Sequence, residues 1–131
     1  MPNYHLPAED LEYAVLSLLW DLRAASVREL YERLGAPAGH VYTTTAKVVD
    51  RLREKGLIKR RREGNTFVYS PAVDRREVER VRARSLVGRF LGGAPHAAVA
   101  ALVEAVDEFS PDLLEELERA IKTRRSPEHG A

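Results

Sequence analysis

Apolar residues recur at a helical period along most of the chain, with one short interruption of strand-like character. Leu11, Val15, Leu18, Leu19 and Leu22 predict a helix over Asp10–Arg23. Pro7 and the acids Glu9 and Asp10 suit its first turn. Val27, Leu30, Tyr31 and Leu34 predict a second helix over Ser26–Leu34, opened by Ser26 and Glu29 at capping-box spacing. Gly35, Pro37 and Gly39 then break the chain. A third helix is predicted over Val41–Lys55 and stopped by Gly56. Its inward stripe is Thr45, Val48, Val49 and Leu52, and its outward face carries Thr43, Thr44, Lys47, Asp50, Arg51 and Glu54. Two short strands follow, Leu57–Arg61 and Thr66–Ser70. The turn between them contains Gly64 and Asn65, which both tolerate the positive φ of a tight hairpin. Pro71 ends the pairing, and the alternating Phe67 and Tyr69 read as core.

Beyond the strands the helical period returns. Asp74 and Glu77 repeat the capping spacing at the start of a fourth helix that runs to about Phe90 and ends at Gly92-Gly93. A fifth, Pro95–Glu108, carries Val99, Leu102, Val103 and Val106 on one side. Ser110 as N-cap and Pro111 at the first helical position open a sixth, with Leu113, Leu114, Leu117 and Ile121 as its stripe. The tail from Thr123 is expected to fray. The fold class is mainly α with a small β-hairpin. The order helix, helix, helix, hairpin is that of a winged helix-turn-helix, which places a DNA-binding domain at residues 1–72 and a helical, three-helix dimerisation domain at 73–131.

Charge sharpens this division. The chain has 131 residues, with 21 Lys plus Arg and 20 Asp plus Glu, a net charge of +1. That balance hides a strong asymmetry. His40–Asn65 holds eight bases against three acids, and Arg75–Arg89 six Arg against two Glu. Glu104–Glu118 holds seven acids and no base. An acidic segment masks a basic one, so near-neutrality does not exclude a nucleic-acid binder. The absence of cysteine excludes disulfides, thiol catalysis and thiolate metal sites. The apolar fraction of 44% is that of a globular protein. No apolar run approaches the ~18 residues of a membrane span, and the N-terminus lacks signal-peptide character. The expectation is a cytoplasmic protein with no membrane partner.

A helix fits the DNA major groove and presents its first residues to base edges. Tyr42, Thr43 and Thr44 occupy that first turn, and Lys47 and Arg51 follow on the outward face. Thr hydroxyls bond base edges or phosphates, and Thr methyls pack on the methyl group of thymine. Tyr42 has two readings, a DNA contact or an aromatic packed beneath the helix start. Lys59, Arg60, Arg61 and Arg62 in the hairpin would lie along the sugar-phosphate backbone. In the C-terminal half, Phe90, Leu91, Val99, Leu102, Val103, Val106, Leu114, Leu117 and Ile121 exceed what three short helices can hide within one chain. They are the expected dimer interface. The basic fourth helix and the acidic segment after it are expected to attract one another across the two-fold axis.

Several stretches carry a family resemblance: LEYAVLSLLW, SVREL, YTTTAKVVDRLREKGLIKR, REGNTFVYSP, LVGRFLGG and FSPDLLEEL. In this order, over about residues 6–121, the chain resembles the BlaI/MecI group of penicillinase repressors. The resemblance implies a homodimeric transcriptional repressor on a palindromic operator, controlling a β-lactam-resistance or stress operon. It places Thr43, Thr44, Lys47 and Arg51 on the recognition helix. Thr45 and Lys47 depart from the family pattern, which often has an aliphatic residue and a Thr there, so base preference is not inherited directly. Some members are released when a sensor protease cuts an Asn-Phe bond. The fifth helix has no Asn, so this chain does not support a sensor-protease partner.

Other classes are weaker. His5, His40, His96 and His129 share no metal-ligand spacing, and Ser26, Ser85 and Ser110 lie at caps or on helices with no nucleophile elbow. No enzyme, metal or cofactor is expected. A winged helix that binds an acidic protein, and a regulator that senses a small ligand, remain as alternatives.

Overall fold

The computed structural model describes residues 3–126. Helix α1 is Asp10–Leu22, α2 is Val27–Leu30, and α3 is Tyr42–Glu54. Strands β1, Ile58–Glu63, and β2, Thr66–Pro71, form an antiparallel hairpin. Helices α4, Arg75–Phe90, α5, Pro95–Phe109, and α6, Pro111–Arg125, complete the chain. The chain divides into two compact units between Ala83 and Arg84, within α4.

The first unit holds the buried core. Val15, Leu16 and Leu19 of α1 meet Val48, Val49 and Leu52 of α3, with Leu30, Leu57, Ile58, Tyr69 and Val78 around them. The 3.6-residue stripe of α1 is therefore centred one position from the expected line. Leu16 is buried, while Leu11, Leu18 and Leu22 pack at its edge. Helix α2 begins as its sequence dictates. Ser26 Oγ accepts from the Glu29 N–H, and the Glu29 carboxylate accepts from the Ser26 N–H, each at 3.2 Å. Four residues later the helix widens into a π-type turn, Tyr31–Gly35, where regular helix was expected to Leu34. Gly35 at its end is buried against α3. A Cβ there would lie 2.5 Å from Thr45 Oγ1 and 2.8 Å from Tyr31 Cδ1, so only glycine allows this approach.

The hairpin pairs Ile58 with Pro71 through to Glu63 with Thr66, leaving a two-residue turn. Only Gly64 of that turn takes a positive φ, 62°, and Asn65 does not. The first strand extends past its expected end, because the tight turn lets Arg62 and Glu63 join the ladder, and at the open end the second strand gains Pro71. Pro71 forms the last pair, at a position where its missing N–H does no harm. Pairing puts Ile58, Arg60 and Arg62 on the same face as Pro71, Tyr69 and Phe67. Tyr69 is buried and exchanges two backbone hydrogen bonds with Ala25, at 2.8 and 2.9 Å, which ties the wing to the segment before α2. Phe67, expected in the core, is exposed because it lies next to the turn, beyond the reach of the helices.

The first half of α4 docks on α1. Arg75 reaches Asp21 and Ser17, and its guanidinium lies 5.0 Å from the Trp20 ring centroid. Arg82 lies 3.8 Å above the Tyr13 ring, and the Tyr13 hydroxyl donates to Glu79. Burial and that hydrogen bond push the Tyr13 phenol up from its ordinary pKa. In the second unit α5 and α6 pack on one another, yet neither contains a buried residue. Ser110 sits at the N-cap of α6 without a side-chain cap; its carbonyl instead accepts from Leu113 and Leu114. Thr123, expected to begin a frayed tail, is still helical, and the tail beyond residue 126 lies outside the described residues. The helix continues to Arg125, with Lys122 paired to Glu118 at 3.2 Å. His129 lies outside the described residues.

One buried charge joins α1 to α3. Glu12 is 2% exposed and accepts from Lys55 Nζ. The Ala8 N–H adds a contact at 3.4 Å, and Arg51 Nε lies 3.5 Å away. Burial pushes the Glu12 carboxyl up, but these partners outweigh it and hold its pKa below the ordinary value of 4.5. An ionised Glu12 therefore adds stability at neutral pH, and that contribution is lost as pH falls through the depressed folded value. Lys55→Met is expected to lower the stability of this unit by about 3 kcal/mol at pH 7. The deficit should shrink at acid pH as Glu12 takes up a proton. Urea denaturation at the two pH values measures both effects, and an equal deficit at both contradicts the assignment.

Candidate nucleic-acid interface

Helix α3 is gripped on one side only. Thr45, Val48, Val49 and Leu52 are buried, while Thr43 and Lys47 are exposed and Thr44 half-buried. Thr43 and Lys47 lie one turn apart on the free face. Lys47 makes no ion pair among the described residues. At the helix start Tyr42 packs as an aromatic beneath the first turn while part of its ring stays open. Its ring packs edge-on against Tyr31, with centroids 5.5 Å apart, and 40% of the residue stays exposed. The Arg28 guanidinium lies 5.2 Å from the same ring.

Arg51 stands one turn beyond Lys47, but its side chain is not left free as that of Lys47 is. It turns toward α1, with Nη2 3.5 Å from Glu9 and Nε 3.5 Å from Glu12. Two turns into the helix, position 51 faces the flank of α1, and the buried carboxylate there draws the guanidinium in. Nothing in the local pattern of α3 signals this; it depends on acids some forty residues earlier.

The wing supplies the remaining cations. Lys59, Arg60, Arg61 and Arg62 are all exposed. Strand alternation sends Lys59 and Arg61 to one face and Arg60 and Arg62 to the other. Arg61 pairs with Glu63 on its own face, through Nε at 2.8 Å. Arg60 lies 4.0 Å above the Phe67 ring and Arg62 6.0 Å from it, so Phe67 serves as a platform that holds two guanidiniums. Arg62 is also tethered to the Gly64 carbonyl at 3.3 Å. Stacking keeps both charges available, because an aromatic face restrains a guanidinium without neutralising it.

The nine residues expected at a dimer interface remain uncovered or half-covered in the C-terminal unit. Phe90, Val99, Leu102, Val103 and Ile121 are exposed; Leu91, Val106, Leu114 and Leu117 are half-buried. Leu86, Val87, Phe109 and Leu113 enlarge the apolar surface beyond the predicted set, and Phe109 is 83% exposed. Among the described residues no group of three or more His, Asp or Glu stands close enough to hold a metal ion.

The model of the penicillinase repressor family matches residues 9–123, which spans both units. The chain belongs to the penicillinase repressor family. It is 25% identical over 117 residues to the penicillinase repressor of Bacillus licheniformis, covering 89% of this chain and 91% of the relative. It is 33% identical over 107 residues to the transcriptional regulator BlaI of Mycobacterium tuberculosis, covering 80% and 78%. Among solved structures, the DNA-binding domain of the repressor BlaI matches with a TM-score of 0.50 and 26% identity. That match covers 55% of this chain and 89% of the domain. The fold that this penicillinase repressor family member shares with the solved domain is the winged helix-turn-helix.

Because Glu12 keeps Lys55 when Arg51 is removed, Arg51→Ala is expected to cost the fold only about 1 kcal/mol. Thermal unfolding followed by circular dichroism measures this, and an unchanged midpoint contradicts the tie between α3 and α1.

Proposed function

We propose that this protein is a sequence-specific DNA-binding transcriptional repressor, not an enzyme, and that it acts in the cytoplasm as a homodimer on a palindromic operator. The observation that carries this reading is the free face of α3, which stands beside a wing whose four consecutive cations meet one acid, Glu63. Tyr42, Thr43, Thr44 and Lys47 would meet base edges and sugars in the major groove. Lys59, Arg60, Arg61 and Arg62 would follow the phosphates. Arg51 sits at the border of this surface, and its exposed edge reaches DNA only in competition with Glu9. The relatives' names, penicillinase repressor and methicillin resistance regulatory protein, support a resistance or related stress operon as the target. No helix among the described residues is long and apolar enough to cross a membrane.

The dimer reading rests on surface that one chain leaves open. Helices α5 and α6 contain no buried residue, and a second copy would cover their apolar faces. This reading assigns DNA binding to residues 1–72 and dimerisation to 73–131, while the first turns of α4 pack within the first compact unit, which runs to Ala83. The first turns of α4, docked on α1, would then link the two.

Fluorescence anisotropy tests the reading with a duplex from upstream of the protein's own gene and a scrambled duplex. Selective binding that weakens steeply with salt is expected, whereas equal, weak binding to both contradicts it. Lys47→Ala is expected to cost about 1–3 kcal/mol on the selected duplex and less on the scrambled one. Val103→Asp is expected to give a monomer in sedimentation with the winged-helix signal of circular dichroism intact. A variant that still sediments as a dimer contradicts the interface.

A further inference from the structure

Between the start of α2, the start of α3 and the tip of the wing lies an open groove of about 210 Å³. Val27 and Arg28 form one wall with Tyr42, while Thr66 and Phe67 form the other. Among the described residues Arg28 is the only charged one that lines it, and no acid does. The nearest acids in sequence are already engaged. Glu29 caps Ser26, and Glu63 pairs with Arg61 on the opposite face of the hairpin. On the wing side, Arg60 and Arg62 stand over the Phe67 ring. The groove is thus an aromatic-walled slot with the Arg28 guanidinium in its lining and those of Arg60 and Arg62 against Phe67 of its wing-side wall, none of the three neutralised by a carboxylate among the described residues.

We infer that this groove binds the phosphodiester backbone of one DNA strand, with Arg28 as a phosphate-binding residue and Tyr42 and Phe67 as walls against the sugars. The inference rests on the DNA-binding reading above and extends it to a residue outside α3 and the wing strands. Continuity supports it. Tyr42 belongs to the first turn of α3 and Phe67 to the wing, so a strand that runs from one to the other crosses the mouth of the groove. The chemistry also fits, since a planar guanidinium presents paired N–H donors to phosphate oxygens. Stacking on Tyr42 fixes Arg28 in advance, so little side-chain freedom is lost on binding.

The test compares wild-type protein, Arg28→Ala, Arg28→Lys and Lys59→Ala on the two duplexes at roughly 50 and 200 mM salt. Arg28→Ala is expected to weaken both duplexes alike, by about tenfold at the lower salt, and to reduce the salt slope by about one. Arg28→Lys should restore the slope, because the charge returns. A loss confined to the selected duplex would overturn the inference, since it would mean that Arg28 acts only by orienting Tyr42. Unchanged affinity and slope for Arg28→Ala, alongside a reduced slope for Lys59→Ala, would also overturn it and leave the DNA-binding reading standing. Wild-type protein without salt-dependent binding would overturn both. Arg28 is exposed, so circular dichroism should show all variants folded.

Discussion

A carboxylate with almost no exposed surface holds helix α3 in place. Glu12 of α1 takes Lys55, at the C-cap of α3, as a close partner and Arg51, in the last turn of α3, as a longer one. The apolar contacts of Val48, Val49 and Leu52 set how deeply α3 sits, but such contacts have little direction. The ion pair adds direction. It fixes the rotation of α3 about its own axis, and with it which residues of the first turn look outward. Gly35 acts at the other end, where its missing side chain lets the turn after α2 close on Thr45. Between these two points the outward face of α3 has little freedom, and a surface that reads DNA bases requires that rigidity.

The same economy of charge appears across the first unit. Acids are spent on structural cations: Glu12 on Lys55, Glu79 on Arg82, Asp21 on Arg75. Burial pushes Glu79 up, but the Tyr13 and Arg82 hydrogen bonds hold its pKa below the ordinary value. Lys47, Lys59 and the stacked arginines of the wing have no such partners among the described residues. The outcome is a basic surface that the overall charge of +1 conceals, because the compensating acids lie in Glu104–Glu118. Electrostatic steering depends on this local field, not on the total.

Much of the fold was legible in the sequence because it rests on local chemistry. The Ser26–Glu29 capping box, the Gly56 stop at φ 80° and the Gly64 turn are short-range features, and all appear. The inward stripe of α3 was equally plain, since four small or branched residues at helical spacing have one way to face a core. What escaped was long-range. Arg51 looks outward in any reading of α3 alone, and only the fold brings Glu9 and Glu12 beside it. Phe67 alternates with Tyr69 as core residues do, yet ends beside the turn and supports arginines. The π-type turn at Tyr31–Gly35 has no periodic signature. Arg28 looks like an ordinary member of a capping box until Tyr42 is seen beneath it.

The central claim is that DNA meets the face made by the first turn of α3 and the wing. Amide chemical shifts of the isotopically labelled protein, followed as duplex DNA from upstream of its gene is added, test this residue by residue. The account predicts the largest changes at Thr43, Thr44, Lys47 and Lys59–Arg62, with the amides of α6 little affected. Large shifts confined to α5 and α6, with α3 and the wing unmoved, would contradict it.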